Sequence, residues 1–279
     1  MQVSIINDAS WVGYEFSKGL RKRGVDVHYL PRTRTFIGKT LGALRNSLIA
    51  SGILHVNYAL QDAFLTQVIH GKIDILRTHG SDVRSSMKTK QWGWMVRANL
   101  RKAKKVLVST PDILPIVSQV RKDVQYLPNP IDTIRFKPAE EPVKQFSCMY
   151  IRHNYEPFPE GLAEILLKKK IPLFEISPGL YSYFEMHNIY PKFSVFIDRF
   201  TIDSFSKSCL ESMACGLATL DYRHKDQFAE RVESLLDLQY ISKEGKSNRK
   251  YIVQNHDVSK VCNELLKIYE EVSVIKSQS

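Results

Sequence analysis

Residues 203–216 read DSFSKSCLESMACG, and this stretch decides the fold assignment. It carries two acidic side chains, Asp203 and Glu211, and ends in a run of small residues that closes at Gly216. Apolar runs of strand type lie on either side, at 193–197 and 218–222. A helix between two such strands is typical of a parallel α/β sheet, and the small residues allow the helix to pack closely on it.

The same stretch offers a binding surface. We expect the helix to begin near Ser206, so that the amides of Ser206, Lys207 and Ser208 are free and carry partial positive charge. Lys207 adds a formal charge. Glu211 lies one to two turns further on, where its carboxylate could accept two hydrogen bonds from the vicinal hydroxyls of a ribose. The alternative is an ordinary buried helix that happens to begin and end near acids.

The rest of the chain repeats this alternation of strands and helices. It predicts an α/β protein with two Rossmann-like domains, at 1–138 and 139–279, because prolines and charges interrupt the pattern around residue 138. A long amphipathic helix over 258–274 ends the second domain. In open parallel sheets the ligand lies beyond the carboxyl ends of the strands, so we expect both sets of loops to face a central cleft. The predicted strands are Gln2–Ile6, Val25–Leu30, Gly52–Val56, Ile73–Thr78, Lys105–Ser109, Val124–Leu127, Ser147–Arg152, Pro172–Ile176, Phe193–Ile197 and Ala218–Tyr222. The predicted helices are Val12–Arg23, Phe36–Ala50, Asp62–His70, Trp92–Lys102, Pro111–Val120, Glu160–Lys170, Ser206–Cys215, Gln227–Leu238 and Val258–Val274.

Three further motifs fall at predicted strand ends. Gly13 closes a loop that enters a helix and could let a phosphate approach backbone amides, although an ordinary turn has equal support. His79 follows the fourth strand in the sequence THGSDVR and is either a polar site residue or a packed side chain beside a helix cap. Arg152 ends the first strand of the second domain and could hold a diphosphate, or could be a solvated surface side chain.

Composition limits the class of protein. The net charge is +11, and residues 1–138 hold 22 Lys and Arg against 9 Asp and Glu, which indicates an anionic partner for the first half. The four cysteines form no C-x-x-C pair, which is typical of a reduced cytosolic protein. Neither a signal peptide nor an apolar run of membrane-spanning length is expected. No D-x-D sequence occurs, so we expect no metal and no cofactor.

The ordered motifs resemble glycosyltransferases of family 4, which have the GT-B fold. The resemblance rests mainly on YLPNPIDTIRFKP at 126–138 and on DSFSKSCLESMACGLATLD at 203–221. It implies a metal-independent transferase that uses a nucleotide-diphosphate sugar and retains the anomeric configuration. Glu211 would then bind the donor ribose, with the amides near Ser206 and Lys207 facing the sugar or diphosphate. Arg152 would stabilise the leaving diphosphate.

The resemblance also implies roles for His79, which would hydrogen-bond the donor sugar, and Gly13, which would let the first loop close over the phosphates. The sequence departs from the family pattern at three points. Asp203 replaces a longer Glu, Glu160 occupies the register of a phosphate-binding Lys, and the second domain is trimmed. A non-catalytic subunit that binds a sugar nucleotide is therefore the alternative function, and Lys207 is a candidate to supply the missing positive charge.

The basic first half predicts contact with a membrane that carries a lipid-linked acceptor; a glycan acceptor is equally compatible. The candidate surface is formed by 21–23 and 97–105 with Trp92 and Trp94, and its alternative is a solvated basic face with two core tryptophans. We expect a cytoplasmic protein, with peripheral contact to the inner face of the membrane as an option. Nucleic-acid binding is the remote alternative, because the sequence contains no recognisable zinc, RNP or helix-turn-helix motif.

Overall fold

The computed structural model describes residues 1–33, 35–140, 146–152 and 158–277. Its strands are β1 (Gln2–Ile6), β2 (Asp26–Leu30), β3 (Ile53–Asn57), β4 (Ile75–Thr78), β5 (Lys105–Val108), β6 (Val124–Tyr126), β7 (Cys148–Ile151), β8 (Leu173–Ile176), β9 (Val195–Ile197) and β10 (Ala218–Leu220). Its α-helices are α1 (Val12–Arg21), α2 (Ala43–Ile49), α3 (Gln61–His70), α4 (Ser81–Arg84), α5 (Gly93–Lys102), α6 (Leu114–Ser118), α7 (Leu162–Lys168), α8 (Met186–Ile189), α9 (Lys207–Ala214), α10 (Phe228–Ser234), α11 (Leu238–Asn255) and α12 (Val258–Ser277). Every predicted strand is present, with ends that shift by two residues or fewer.

The chain forms two compact units, and their limits correct the predicted domains. The first unit combines Met1–Pro130 with Val258–Ser279, and the second unit is Ile131–Asp257. The division therefore falls before the predicted position at 138, and the terminal helix belongs to the first unit. The proline- and charge-rich stretch that marks the predicted boundary spans 137–142, and its residues 141–142 lie outside the described residues.

The first unit is built on a six-stranded parallel sheet in the order β2-β1-β3-β4-β5-β6. One apolar cluster joins one face of this sheet to α3, α5 and α6, and a second cluster joins the other face to α1 and α12. All five residues of β3 are buried. Coverage on both faces explains why the strands read as nearly continuous apolar runs.

Helix α12 packs in the first unit because its apolar stripe completes the cluster on α1. Val261, Leu265 and Ile268 are buried there with Phe16 and Leu20. The stripe was visible in the sequence, but its periodicity shows only that one helix face is buried and not which sheet buries it. This is why the terminal helix was assigned to the wrong domain.

The second unit is built on a four-stranded parallel sheet in the order β10-β9-β7-β8. Side chains from α7, α10 and α11 share one core with these strands. This small sheet fits the trimmed second domain that the sequence predicted. Together, the two parallel α/β sheets confirm the predicted fold class.

Helix α11 was missed by the sequence reading. Its inward positions are Ile241, Gly245, Asn248 and Ile252, so only two large apolar side chains mark its buried face over 18 residues. Gly245 is required by a close approach, since a Cβ there would lie 2.0 Å from the carbonyl oxygen of Gly216. Contact between backbones replaces the usual apolar stripe, and periodicity cannot detect it.

Within the described ranges, no helix combines the length and apolar character that crossing a bilayer requires.

We predict that Ile268→Ala destabilises the protein by about 2–5 kcal/mol, because the deletion leaves a cavity between α12 and α1. Its neighbour Lys267 is exposed, so Lys267→Ala is the matched control and should change the free energy of unfolding by about 0.5 kcal/mol or less. Urea unfolding measures both. Equal effects of the two substitutions would contradict the placement of α12.

Candidate functional site

Helix α9 begins where the sequence predicted, because Ser206 caps it. The Ser206 Oγ accepts a hydrogen bond of 3.0 Å from the Cys209 amide, and the Ser206 amide donates to the Asp198 carboxylate at 2.9 Å. Of the three amides expected to be free, those of Lys207 and Ser208 make no hydrogen bond to any described residue. Two donors therefore remain at the positive end of the helix.

The carboxylate of Glu211 is buried and held from two sides. Lys207, four residues earlier on α9, donates to Oε1 in an ion pair, and the Tyr190 hydroxyl donates to Oε2 at 3.2 Å. Burial raises the pKa of Tyr190 well above its ordinary value, and the Glu211 charge raises it further. The hydroxyl therefore keeps its proton and remains a donor. Each carboxylate oxygen retains a second lone pair that can accept a ligand hydroxyl.

A second cation lies beside this pair. The Lys207 Nζ lies 4.4 Å from the centre of the Tyr183 ring and donates to its hydroxyl at 3.1 Å. The Arg135 guanidinium lies 4.3 Å from the same ring. Two cationic side chains, those of Lys207 and Arg135, therefore contact the Tyr183 ring.

The structure separates the two acids of the opening stretch. Asp203 is exposed, with its carboxylate 3.8 Å from the Lys225 Nζ, whereas Glu211 is 3% exposed. Asp203 does not cap α9, because Ser206 does so. The sequence predicts Glu211 as the ribose-binding residue and Asp203 as a weaker donor-binding residue that either caps the helix or reaches the sugar through water; the cap at Ser206 excludes the first of these roles for Asp203.

The Arg152 amide continues the backbone hydrogen bonding between β7 and β8. Its side chain is exposed and forms an ion pair with Glu175 on β8. The residues directly after it, 153–157, lie outside the described part of the chain. Glu160 is exposed and precedes Gly161, whose φ of 76° is the left-handed conformation that starts α7. A role of Arg152 at a phosphate requires it to exchange Glu175 for the ligand.

Sequence reasoning missed the acids that end the two neighbouring strands of the second sheet. Asp198 follows β9 and is fully buried, and burial raises its pKa. Asp221 follows β10 and accepts two hydrogen bonds of 2.8 Å from Arg223. Burial alone would raise the pKa of Asp221, but the hydrogen bonds and charge of Arg223, together with Thr219 and His224, lower it below its ordinary value. Both acids directly follow a strand, as Arg152 does, so the same search for polar residues at strand ends would have found them.

In the first unit, an internal carboxylate occupies the helix start near Gly13. Asp8 accepts hydrogen bonds from the amides of Gly13 at 3.0 Å and Tyr14 at 3.2 Å, and the Tyr29 hydroxyl donates to it at 2.5 Å. A phosphate at these amides would have to displace Asp8. A Cβ on Gly13 would lie 3.2 Å from the Asn7 carbonyl oxygen, so the glycine serves close packing at this point.

His79 lies at the carboxyl edge of the first sheet, as predicted, and touches the ends of its neighbours. Its Nε2 is 3.1 Å from the Asn57 Oδ1. Asn57 and Asn7, at the ends of β3 and β1, donate to each other's carbonyl oxygens at 3.3 and 3.2 Å. Since Oδ1 can only accept, Nε2 carries the proton and Nδ1 is left as the acceptor of the ring.

Three basic side chains, His79, Arg77 and His55, determine the charge at this edge of the sheet. Burial lowers the pKa of His79 well below its ordinary value, and the charge of Arg77 and the neighbouring His55 lower it further. Arg77 is fully buried and donates to the side-chain oxygen of Asn129 at 2.9 Å, so Asn129 of the first family-like motif fixes the guanidinium. Burial likewise lowers the pKa of His55 to about 3. Both imidazoles are neutral at pH 7.

No family model matches this sequence, and no curated protein matches it. Several solved structures match its fold. Sucrose-phosphate synthase from Thermosynechococcus elongatus is 11% identical, with 99% of this chain and 100% of that chain covered and a TM-score of 0.71. The catalytic domain of starch synthase IV from Arabidopsis thaliana is 10% identical, with coverage of 97% and 99% and a TM-score of 0.66.

A third match is AviGT4, a glycosyltransferase involved in avilamycin A biosynthesis, which is 11% identical with 98% of each chain covered and a TM-score of 0.53. The chain has the GT-B fold. At such low identities the likeness extends to the fold alone, which is the level at which the sequence-based resemblance is confirmed.

We predict that stability falls as the pH drops from about 6.5, because His55 and His79 bind protons only in the unfolded chain. Their contribution is fully present above pH 6.5 and is lost as the pH falls toward 3, by at most about 1.4 kcal/mol per pH unit for each histidine. His55→Asn, which can still bond Tyr269, should remove one histidine's share of this slope. Urea unfolding between pH 5 and 7 measures the slope of the free energy of unfolding against pH.

The control is His28→Gln, which should leave this slope unchanged because His28 is exposed. Equal slopes in wild type and His55→Asn would refute the conclusion that His55 binds a proton only in the unfolded chain.

Proposed function

We propose that the protein is a glycosyltransferase that moves a sugar from a nucleotide-diphosphate sugar to a glycan or lipid-linked acceptor. The observation that carries this proposal is the arrangement on α9 within a GT-B fold: a buried Glu211 beside two cations and two free amides. The starch synthase IV neighbour was solved with ADP and acarbose bound, which supports a nucleotide ligand for a fold of this kind.

The cations of the second unit suit a diphosphate. Lys207, Arg135 and the free amides at the start of α9 would attract its negative charge, and charge-assisted hydrogen bonds of this kind are strong when they are buried. Arg152 would exchange its ion pair with Glu175 for the same ligand. Its exposure makes that exchange cheap, since an exposed ion pair contributes little to stability.

Glu211 would bind the ribose hydroxyls of the nucleotide. Lys207 and Tyr190 fix its carboxylate in position and leave a lone pair on each oxygen. The ligand therefore meets an acceptor that is already oriented, which reduces the entropy lost on binding. Ser206 contributes by fixing the start of α9, and exposed Asp203 has at most a minor role.

The reaction would break the bond between the anomeric carbon and the diphosphate oxygen and form a bond from that carbon to an acceptor hydroxyl oxygen, which loses its proton. The electron pair of the broken bond leaves with the nucleoside diphosphate. Protein cations would stabilise this leaving group without a metal, and retention of configuration follows the family resemblance. Neutral His79 would accept a hydrogen bond from a donor-sugar hydroxyl through Nδ1, and Gly13 would let the first loop approach the phosphates.

The second candidate is a non-catalytic subunit that binds a sugar nucleotide. It is favoured by Glu160, which places a negative charge where the family pattern has a lysine, and by the internal partners that already hold Arg152 and the amide of Gly13. Both candidates require a nucleotide site on the second unit. They differ in whether the donor turns over.

We predict that Glu211→Gln weakens nucleotide binding by about 10- to 100-fold, because it removes the charge that accepts the ribose hydroxyls while keeping the shape of the side chain. The matched control is Asp203→Asn, an exposed carboxylate lost from the same loop, which should weaken binding by about threefold or less. A thermal-shift panel of nucleotides and nucleotide sugars first identifies the ligand, and titration calorimetry then gives the affinities.

Lys207 needs a paired design. Lys207→Ala alone leaves a buried carboxylate without its partner, which costs about 3–5 kcal/mol of stability and obscures any binding role. The double variant Lys207→Met/Glu211→Gln removes both charges, so its loss of affinity beyond that of Glu211→Gln reports Lys207 itself. Equal affinity of Glu211→Gln and wild type would overturn the ribose assignment, whatever the double variant does.

A further inference from the structure

One helical segment of the first unit presents its apolar side chains outward. Residues 36–49 form a continuous helical run in which a π-helix, Gly38–Gly42, leads into α2. The exposed large side chains are Phe36 (82%), Ile37 (67%), Leu41 (63%), Leu44 (39%), Leu48 (60%) and Ile49 (48%). A helix at the surface of a globular protein normally has the opposite arrangement, with its apolar face inward.

Polar contacts fix this unusual orientation. On the inward face, the Asn46 amide donates to the carbonyl oxygens of Leu30 at 2.8 Å and Pro31 at 3.1 Å. The Ser47 hydroxyl lies 3.1 Å from the Thr66 hydroxyl on α3. Rotating the helix to bury its leucines would break these hydrogen bonds in the interior. The outward apolar face is therefore specified by the fold.

A π-helical turn joins the two parts of this helical run. Its hydrogen bonds join residues five apart, which makes the turn wider than that of an α-helix. From Leu41 the α-helical spacing of three and four continues the stripe through Leu44 to Leu48. The wide turn begins at the buried Gly38, where a Cβ would lie 2.1 Å from the Thr33 hydroxyl oxygen, so only glycine fits. Leu41, Leu44 and Leu48 therefore form one exposed apolar stripe, and the exposed Phe36 and Ile37 precede it in the helical run.

The charged residues of the helix itself are all of one sign. The sequence has no acidic residue between Asp26 and Asp62, whereas Lys39 and Arg45 are exposed on the helix itself. Asp62 is fully buried and forms an ion pair with Arg32 at 2.8 Å. An apolar stripe bordered by cations, with no exposed carboxylate on its own helix, matches the surface of an anionic bilayer.

We propose that residues 36–49 form an interfacial helix that inserts its apolar face into an anionic lipid bilayer. The proposal deepens the proposed function, since it places the first unit on the membrane where a lipid-linked acceptor would be found. A second copy of the chain fits less well, because a symmetric contact through this helix would bring Lys39 and Arg45 of both copies together with no carboxylate to pair them.

This surface differs from the one that the sequence suggested. Arg23 is engaged within the first unit, where it donates to Gly19, Ser259 and Asn263. Trp92 packs against the core, and only Trp94 is exposed. The predicted clusters keep exposed cations at Arg97, Arg101 and Lys102, whereas the helix supplies the apolar side chains for insertion.

The test is flotation of the full chain with phosphatidylcholine vesicles that contain or lack phosphatidylglycerol. Wild type should float with the anionic vesicles, and Leu41→Ser/Leu48→Ser should weaken that binding by about tenfold or more through loss of inserted side chains. Lys39→Glu/Arg45→Glu should also weaken it, by about fivefold or more for each charge. The control is Leu236→Ser/Leu238→Ser, which removes two exposed leucines of the second unit and should float like wild type.

Since Leu41 and Leu48 are exposed, their serine variants should unfold at the wild-type urea midpoint and bind nucleotides as wild type does. Nucleotide binding thus tests the proposed function separately from the membrane contact. The inference is overturned if wild type does not float, or if the helix variant and the control float equally. It is also overturned if light scattering shows a wild-type dimer that the Leu41→Ser/Leu48→Ser variant loses, with no flotation of either, because a second copy would then cover the helix.

Discussion

In an open parallel sheet a ligand reaches polar groups beyond the carboxyl ends of the strands. Polar residues gather at such ends in both sheets of this protein. In the first unit, Asn7, Asn57 and His79 follow or end neighbouring strands and bind one another at the carboxyl edge. In the second unit, Asp198 and Asp221 occupy the equivalent positions. The carboxyl ends of neighbouring parallel strands bring these polar residues together at one edge of each sheet.

The candidate binding groups share a second property, which is that internal partners already hold them. Lys207 and Tyr190 hold Glu211, Glu175 holds Arg152, and Asp8 occupies the amide of Gly13. Binding at Arg152 or Gly13 would be an exchange of partners. Glu211 differs, because its oxygens keep free lone pairs while its position is fixed. Its ion pair is buried, whereas that of Arg152 is exposed, so the two groups differ in how readily they can move.

The sequence predicted the strands, most helices and the start of α9, because these depend on local apolar period and capping. It assigned α12 to the wrong domain, since a stripe does not identify the sheet that buries it, and it missed α11, where contact between Gly245 and Gly216 takes the place of a stripe. The partners of Glu211 were also hidden. Tyr190 lies 21 residues away and meets it only in the folded chain. The outward face of residues 36–49 reads in the sequence as an ordinary amphipathic helix, and only the inward hydrogen bonds of Asn46 and Ser47 reveal its orientation.

The most direct test of the central claim is turnover of the donor. Once the bound nucleotide sugar is known, release of its nucleoside diphosphate is measured with and without a lipid extract, and sugar-bearing products are sought by mass spectrometry. A glycosyltransferase releases the diphosphate and forms a glycosylated product that depends on the acceptor. Binding of the donor without any release or product, over a range of acceptor extracts, would contradict catalysis and leave a protein that binds sugar nucleotides without transferring them.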